Sequence, residues 1–187
     1  MNPPFLLILT GPPGAGKTTV APLVAERYTP SIVVEGDALW GGVVRGFIEP
    51  WKSTAHEQNR VLVRASIASA SALVRGGYAT VLSGHIGPWF LDELRDDLAA
   101  IGAPIVYVVV RPTIDDCLAR CVERQSDPRH AGALSDVGAI RHMYERYSDL
   151  GAYEAHVVDT SSLDAGGAAT LIVSAMDSSD FALIERG

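Results

Sequence analysis

The run Gly11-Pro12-Pro13-Gly14-Ala15-Gly16-Lys17-Thr18 reads G-x-x-x-x-G-K-T, the pattern of a phosphate-binding P-loop. Before it stands Phe5-Leu6-Leu7-Ile8-Leu9, a short apolar run suited to a buried strand. After it, Thr19 to Glu26 reads as a helix. Strand, glycine loop and helix in that order give the motif its structural context. The chemistry explains the residue types. A polyphosphate needs many donors and little steric bulk. Gly11, Gly14 and Gly16 let the backbone turn its N–H groups onto phosphate oxygens, with Pro12, Pro13 and Ala15 completing the loop. The helix that follows adds the positive end of its dipole. Lys17 is placed to reach the β and γ phosphates, the Thr18 hydroxyl to ligate magnesium, and Thr19 to close the nucleotide-binding set. ATP and Mg2+ are the expected cofactors.

Composition narrows the partners. With 187 residues, 48% hydrophobic and 20% charged, the chain suits one globular domain over 1–187. Its net charge of -7, without a basic run, argues against nucleic acid. The first ten residues lack a positive flank and lead straight into the loop, so they are expected to be a strand and not a signal peptide. No apolar stretch is long enough to span a bilayer. Cys117 and Cys121, one helical turn apart, suit neither a disulfide framework nor a closed zinc site, and a reduced, cytoplasmic setting is expected.

Working outward from the loop, apolar strands alternate with helices. Strands are expected at Ser31–Val34, Tyr78–Leu82, Ile105–Val110 and His156–Asp159. Helices are expected over Ser53–Arg75 with Ser53 as cap, Pro88–Ile101, Thr113–Arg124 capped by Thr113, Ser135–Tyr147 and Ala165–Met176. Gly76-Gly77 stops the first of these. Residues 177–187 are weakly patterned and read as disordered or as an extra turn. This alternation implies an α/β fold: a five-stranded parallel sheet with helices on both faces and a mobile lid over residues 120–136. Ligands bind at the carboxyl ends of such strands.

Each strand end carries polar chemistry. Glu35 and Asp37 follow the second strand, two residues apart, so on extended backbone both side chains point the same way. Asp37 is the candidate general base for an acceptor hydroxyl, and Glu35 a candidate magnesium group. Asp37 could also cap a helix starting at Ala38, which does not exclude catalysis. Ser83-Gly84-His85 follows the third strand and has no acid, where many P-loop enzymes hold magnesium with an aspartate. Ser83, water or Glu35 could take that load, and His85 is a candidate substrate contact or a local hydrogen-bonding residue. Arg120, Arg124 and Arg129, with Arg141 beyond them, could close over a γ-phosphate as a lid or form a solvated face paired with Glu123 and Glu145. Residues 38–78 would wall an acceptor pocket. There Trp40, Phe47 and Trp51, with His56, Arg60 and Arg64, could face a ring-bearing substrate, or the aromatics could form a satellite core.

These residues resemble the small P-loop phosphotransferases: shikimate kinase, gluconate kinase, chloramphenicol phosphotransferase and the ATP-binding part of the zeta toxins. The resemblance covers nearly the whole chain. It implies transfer of the γ-phosphoryl group of ATP to a hydroxyl of a small molecule, with Asp37 as the substrate-side base. It implies adenine stacking by Arg120, lid roles for Arg124 and Arg129, and a substrate contact at Arg141. Asp159-Thr160-Ser161 resembles the loop lining the adenine, which brings Ser161 into the nucleotide set. The glycine triplet of shikimate kinase is replaced by Ser83-Gly84-His85, and the lid signature of gluconate kinase is absent. The acceptor is therefore left as sugar-like, nucleoside-like or an antibiotic, with nucleotide kinase or a P-loop ATPase as rivals.

Overall fold

The computed structural model describes residues 3–125, 134, 136–176 and 181–184. At its centre lies β1 (Leu6–Thr10), every residue of which is buried. The sheet is laid out in the order β2-β3-β1-β4-β5, with β2 at Ser31–Glu35, β3 at Ala79–Ser83, β4 at Ile105–Val110 and β5 at Val157–Val158. These five strands run parallel. Alternate residues of β1 serve opposite faces, as a period of two requires. Leu6 and Ile8 join one core with Val63, Ile67, Phe90 and Leu94. Leu7 and Leu9 join the other with Val20, Val24 and Ile172. The result is three layers.

One face carries α1 (Lys17–Ala25) and α8 (Ala165–Met176). The other carries α3 (His56–Arg75), the short α4 (Pro88–Leu91) and α5 (Arg95–Ala99). The remaining described α-helices are α2 (Ala38–Gly41), which packs on α3, and α6 (Ile114–Gln125) and α7 (Val137–Glu145), which pack on each other.

Three expectations are corrected. The sheet has a sixth strand, β6 (Ala182–Ile184), which runs antiparallel to β4. Its signal is three residues long, too short for a period to register, and Phe181 anchors it by accepting the Tyr107 amide at 2.9 Å. The expected helix over Pro88–Ile101 is two helices broken near Leu94, which departs from helical geometry at φ -110° and ψ 16°. Its apolar residues Phe90, Leu91, Leu94 and Leu98 still reach the core. Ser53 caps nothing: residues 53–55 form a single 3-10 turn ahead of α3. The cap of α7 is Asp136, whose carboxylate accepts the Ala139 amide. Thr113 does cap α6, its hydroxyl accepting the Asp116 amide at 3.2 Å. The lid expected over 120–136 lies mostly outside the described residues, and so does Arg129.

Candidate active site

The phosphate loop connects β1 to α1 and is fixed by close backbone approach. Gly11 (φ 147°) and Gly14 (φ 77°) lie in conformations that favour glycine. A Cβ on Gly11 would overlap the Val110 carbonyl, and one on Gly14 the Cys117 carbonyl. The loop is thus wedged between the end of β4 and α6, and its shape does not await a ligand. Lys17 is buried, with Nζ donating to the carbonyls of Gly11 at 2.9 Å and Pro12 at 3.1 Å. Burial pulls its pKa below the ordinary lysine value, while the charge of Asp37 pulls the other way and Arg124 adds to the depression. A phosphate entering the loop would give this crowded ammonium the counter-charge it lacks.

A cavity of about 570 Å³ opens from the loop. Gly16, Lys17, Thr18, Asp37 and His85 line it, together with the aromatic residues Trp40, Phe47, Trp51, Trp89, Phe90 and Tyr147. Arg124 also faces the cavity, and its positive charge is felt by both Lys17 and His85.

Asp37 leaves the line of β2. It is helical at φ -61° and ψ -21°, so the two-residue alternation that would align it with Glu35 has already ended. Glu35 closes β2 in register with Ser83, is exposed, and does not line the cavity. Asp37 reaches instead across to β3. Its Oδ1 accepts the backbone amide of His85 at 2.8 Å, and its Oδ2 lies 3.7 Å from His85 Nε2. The carboxylate makes no cap bond to α2. The His85 imidazole is pushed down to about 4, first by burial and then by the Lys17 cation, with Asp37 opposing. Its Nδ1 is buried without a hydrogen-bond partner among the described residues.

The aromatic end is held by α3. Gln58 accepts the Ile48 amide at 2.9 Å and donates to the Ile48 carbonyl at 2.6 Å. Asn59 donates to the Pro50 carbonyl at 2.8 Å and accepts from Trp40 Nε1 at 2.9 Å. On the opposite wall, the Arg146 guanidinium lies 3.8 Å over the Trp89 ring, whose edge meets Tyr147 at 5.3 Å. The Tyr147 hydroxyl pairs with Thr10 Oγ1 at 3.0 Å, the residue before the loop. Burial raises the pKa of that phenol.

Several expected site residues lie elsewhere. Arg60 forks onto Glu57 through two bonds of 2.9 and 2.7 Å and does not line the cavity. Arg141 is exposed and likewise outside the wall. Ser161 is engaged locally, accepting the Thr113 amide and donating to Asp159. Thr19 is exposed on α1. Arg120 approaches the loop, with Nη1 3.7 Å from where a Gly16 Cβ would stand. Asn59, Trp89, Phe90, Arg146 and Tyr147 were not singled out from sequence. Trp89 and Phe90 follow β3 by a few residues, so the strand-end rule extended past His85 would have reached them. Nothing in the sequence marks Arg146 over its exposed neighbours.

A family model described as an AAA domain matches residues 6–148. The chain belongs to the AAA-domain family. The match takes in the P-loop, Asp37 and the whole described cavity, and with it the fold is that of the small P-loop kinases. No curated protein matches this AAA domain in sequence. Among solved structures, the tunicamycin resistance protein of Deinococcus radiodurans is 18% identical, with 94% of this chain and 96% of that chain covered and a TM-score of 0.66. The APS kinase of Mycobacterium tuberculosis, in complex with AMPPNP and APS, is 18% identical over 95% and 99% of the two chains, with a TM-score of 0.66. A sugar kinase from Janibacter sp. is 18% identical over 94% and 95%, with a TM-score of 0.65. At that identity the likeness is one of fold. Among the described residues, no helix of this AAA domain is long and apolar enough to cross a membrane.

The residues fit a nucleotide and its metal. The loop has the amides, the depth and the lysine for a polyphosphate, and Thr18 is the exposed hydroxyl beside it on the cavity wall.

Proposed function

We propose that this AAA domain is an ATP-dependent phosphotransferase that moves a γ-phosphoryl group to a hydroxyl of a small molecule. One observation carries the proposal: a single cavity joins the phosphate loop to Asp37 and to an aromatic chamber beyond it. Bound magnesium ATP would supply the phosphoryl group and neutralise part of its charge. The chain does the rest. Lys17 and Arg124 face the transferring charge from two sides, a positioning and electrostatic contribution. Asp37 lies between loop and chamber, where it would accept the proton of the acceptor hydroxyl. The aromatic walls would pack against the apolar body of an acceptor and so favour an alcohol over water.

Acceptors that carry their own phosphate fit less well. Arg64 is committed to Asp97 at 2.8 Å and Arg60 to Glu57, and neither they nor Arg45 line the cavity. The reading therefore favours a small alcohol such as a sugar-like, nucleoside-like or antibiotic molecule over a nucleoside monophosphate. The domain is proposed to act on that acceptor without nucleic acid or membrane.

The test is calorimetry of magnesium ATP uptake, followed by ADP release scored against sugars, aminoglycosides, phenicols and nucleosides. Asp37→Asn should bind nucleotide and lose turnover by about 100-fold or more, the usual size of a general-base contribution. Absence of ATP uptake, or ADP release that no acceptor accelerates, refutes the proposal.

A further inference from the structure

Granting the phosphotransfer function proposed above, we infer that Asp37, and not Glu35, is the carboxylate that holds the magnesium ion's water shell, in the place an acid at the end of β3 would take. The chain lacks an acid at Ser83-Gly84-His85. The missing carboxylate has been replaced in space. A Cβ on Gly84 would stand 3.1 Å from Asp37 Oδ1 and 3.5 Å from the Asp37 amide. The Asp37 carboxylate thus fills the volume into which a side chain at position 84 would project. The His85 amide pins it there at 2.8 Å.

Two further observations agree. Magnesium keeps most of its waters and needs one or two carboxylates beside the phosphates. Among the described residues lining the cavity, Asp37 is the one carboxylate, and it shares that wall with Thr18. Glu35 ends β2 and does not line the cavity. Asp37 is also near enough to Lys17 for the ammonium to feel its charge. One acid then serves two partners, the hydrated metal and the acceptor hydroxyl. An acid returned to β3 should separate the two duties.

The experiment is calorimetry with AMPPNP, in magnesium and in EDTA, with thermal melts of the ligand-free variants as folding controls. The wild type should bind at least about tenfold tighter with magnesium, a difference of about 1.4 kcal/mol. In Asp37→Asn the magnesium effect should fall below about threefold, and in Glu35→Gln it should stay within twofold of wild type. The double variant Asp37→Gly with Gly84→Asp should regain the magnesium effect while phosphotransfer stays absent. The inference is overturned by an Asp37→Asn protein that keeps the full magnesium effect, by a Glu35→Gln protein that loses it, or by wild-type binding indifferent to magnesium. Loss of phosphotransfer in Asp37→Asn with the magnesium effect intact sinks this inference alone, whereas a wild type that takes up no AMPPNP sinks the function itself.

Discussion

His85 makes the folded state lose stability as the pH falls, and the size of the loss follows from its surroundings. Burial first, and then the nearby Lys17 ammonium, hold the imidazole pKa at about 4 against an ordinary 6.5. Asp37, 3.7 Å away, opposes that shift without cancelling it. A depressed histidine pKa means that the unfolded chain takes up the proton first. Between about pH 6.5 and pH 4 the unfolded state therefore binds more protons, and stability rises with pH across that window. At pH 7.5 the contribution is near zero, and at pH 5 the linkage relation gives a loss of about 2 kcal/mol from this one group. A quarter of the side chain is open to water, so the expected loss is about 1 to 2 kcal/mol. Urea denaturation of the wild type and of His85→Gln at both pH values measures it. The variant also removes ring contacts, so the informative quantity is the change with pH in the difference between the two proteins. That difference should shift by about 1 to 2 kcal/mol in favour of the variant on going to pH 5. A shift below about 0.4 kcal/mol would mean an imidazole that titrates as it does in water, and the picture of a cation-crowded site centre would be wrong.

Other consequences are as direct. Gly14→Ala should abolish nucleotide uptake in calorimetry and lower stability by about 2 kcal/mol or more, because the new Cβ meets the Cys117 backbone and the residue is held at positive φ. Asn59→Leu should cost about 2 to 3 kcal/mol in urea denaturation, since the Pro50 carbonyl and the Trp40 indole each lose a bond, with ATP affinity unchanged within a factor of two. Tyr147→Phe should cost about 1 kcal/mol, because Thr10 Oγ1 still accepts the Ile86 amide at 3.0 Å after the phenol is gone.

The phosphate end of the site was legible because its chemistry is carried by the backbone. A loop that must approach Val110 and Cys117 so closely needs glycine at fixed spacing, and fixed spacing can be read. The parallel sheet was legible for a similar reason: buried strands such as Ile105–Val110 can tolerate only apolar residues. The acceptor end was not. Gln58 and Asn59 look like ordinary helix-surface residues, and only the fold brings residues 40, 48 and 50 against them. The placing of Glu35 beside Asp37 failed for a local reason, since period-two alternation holds on strands and Asp37 already belongs to a helical turn. Arg124 lines the cavity while Arg60 and Arg141 do not, and charge type alone does not distinguish them.

That division implies how the two ends tolerate change. The phosphate end is fixed by main-chain contacts, so substitutions there disturb every reaction the cavity could support. The aromatic end is held by a few side-chain bonds from one helix to a loop that is partly open to solvent, with Phe47 at 47% exposure. Replacing Phe47 or Trp51 alters the chamber without touching those bonds. Under the proposed function, acceptor preference could therefore drift while the staples on Gln58 and Asn59 stay, and exchange of residues 43–51 is expected to change which acceptor is used before it changes whether nucleotide binds. The one residue that belongs to both ends is Asp37, tied to β3 by the His85 amide and facing the chamber. Under the proposed function it is the position at which acceptor choice and nucleotide chemistry would be coupled.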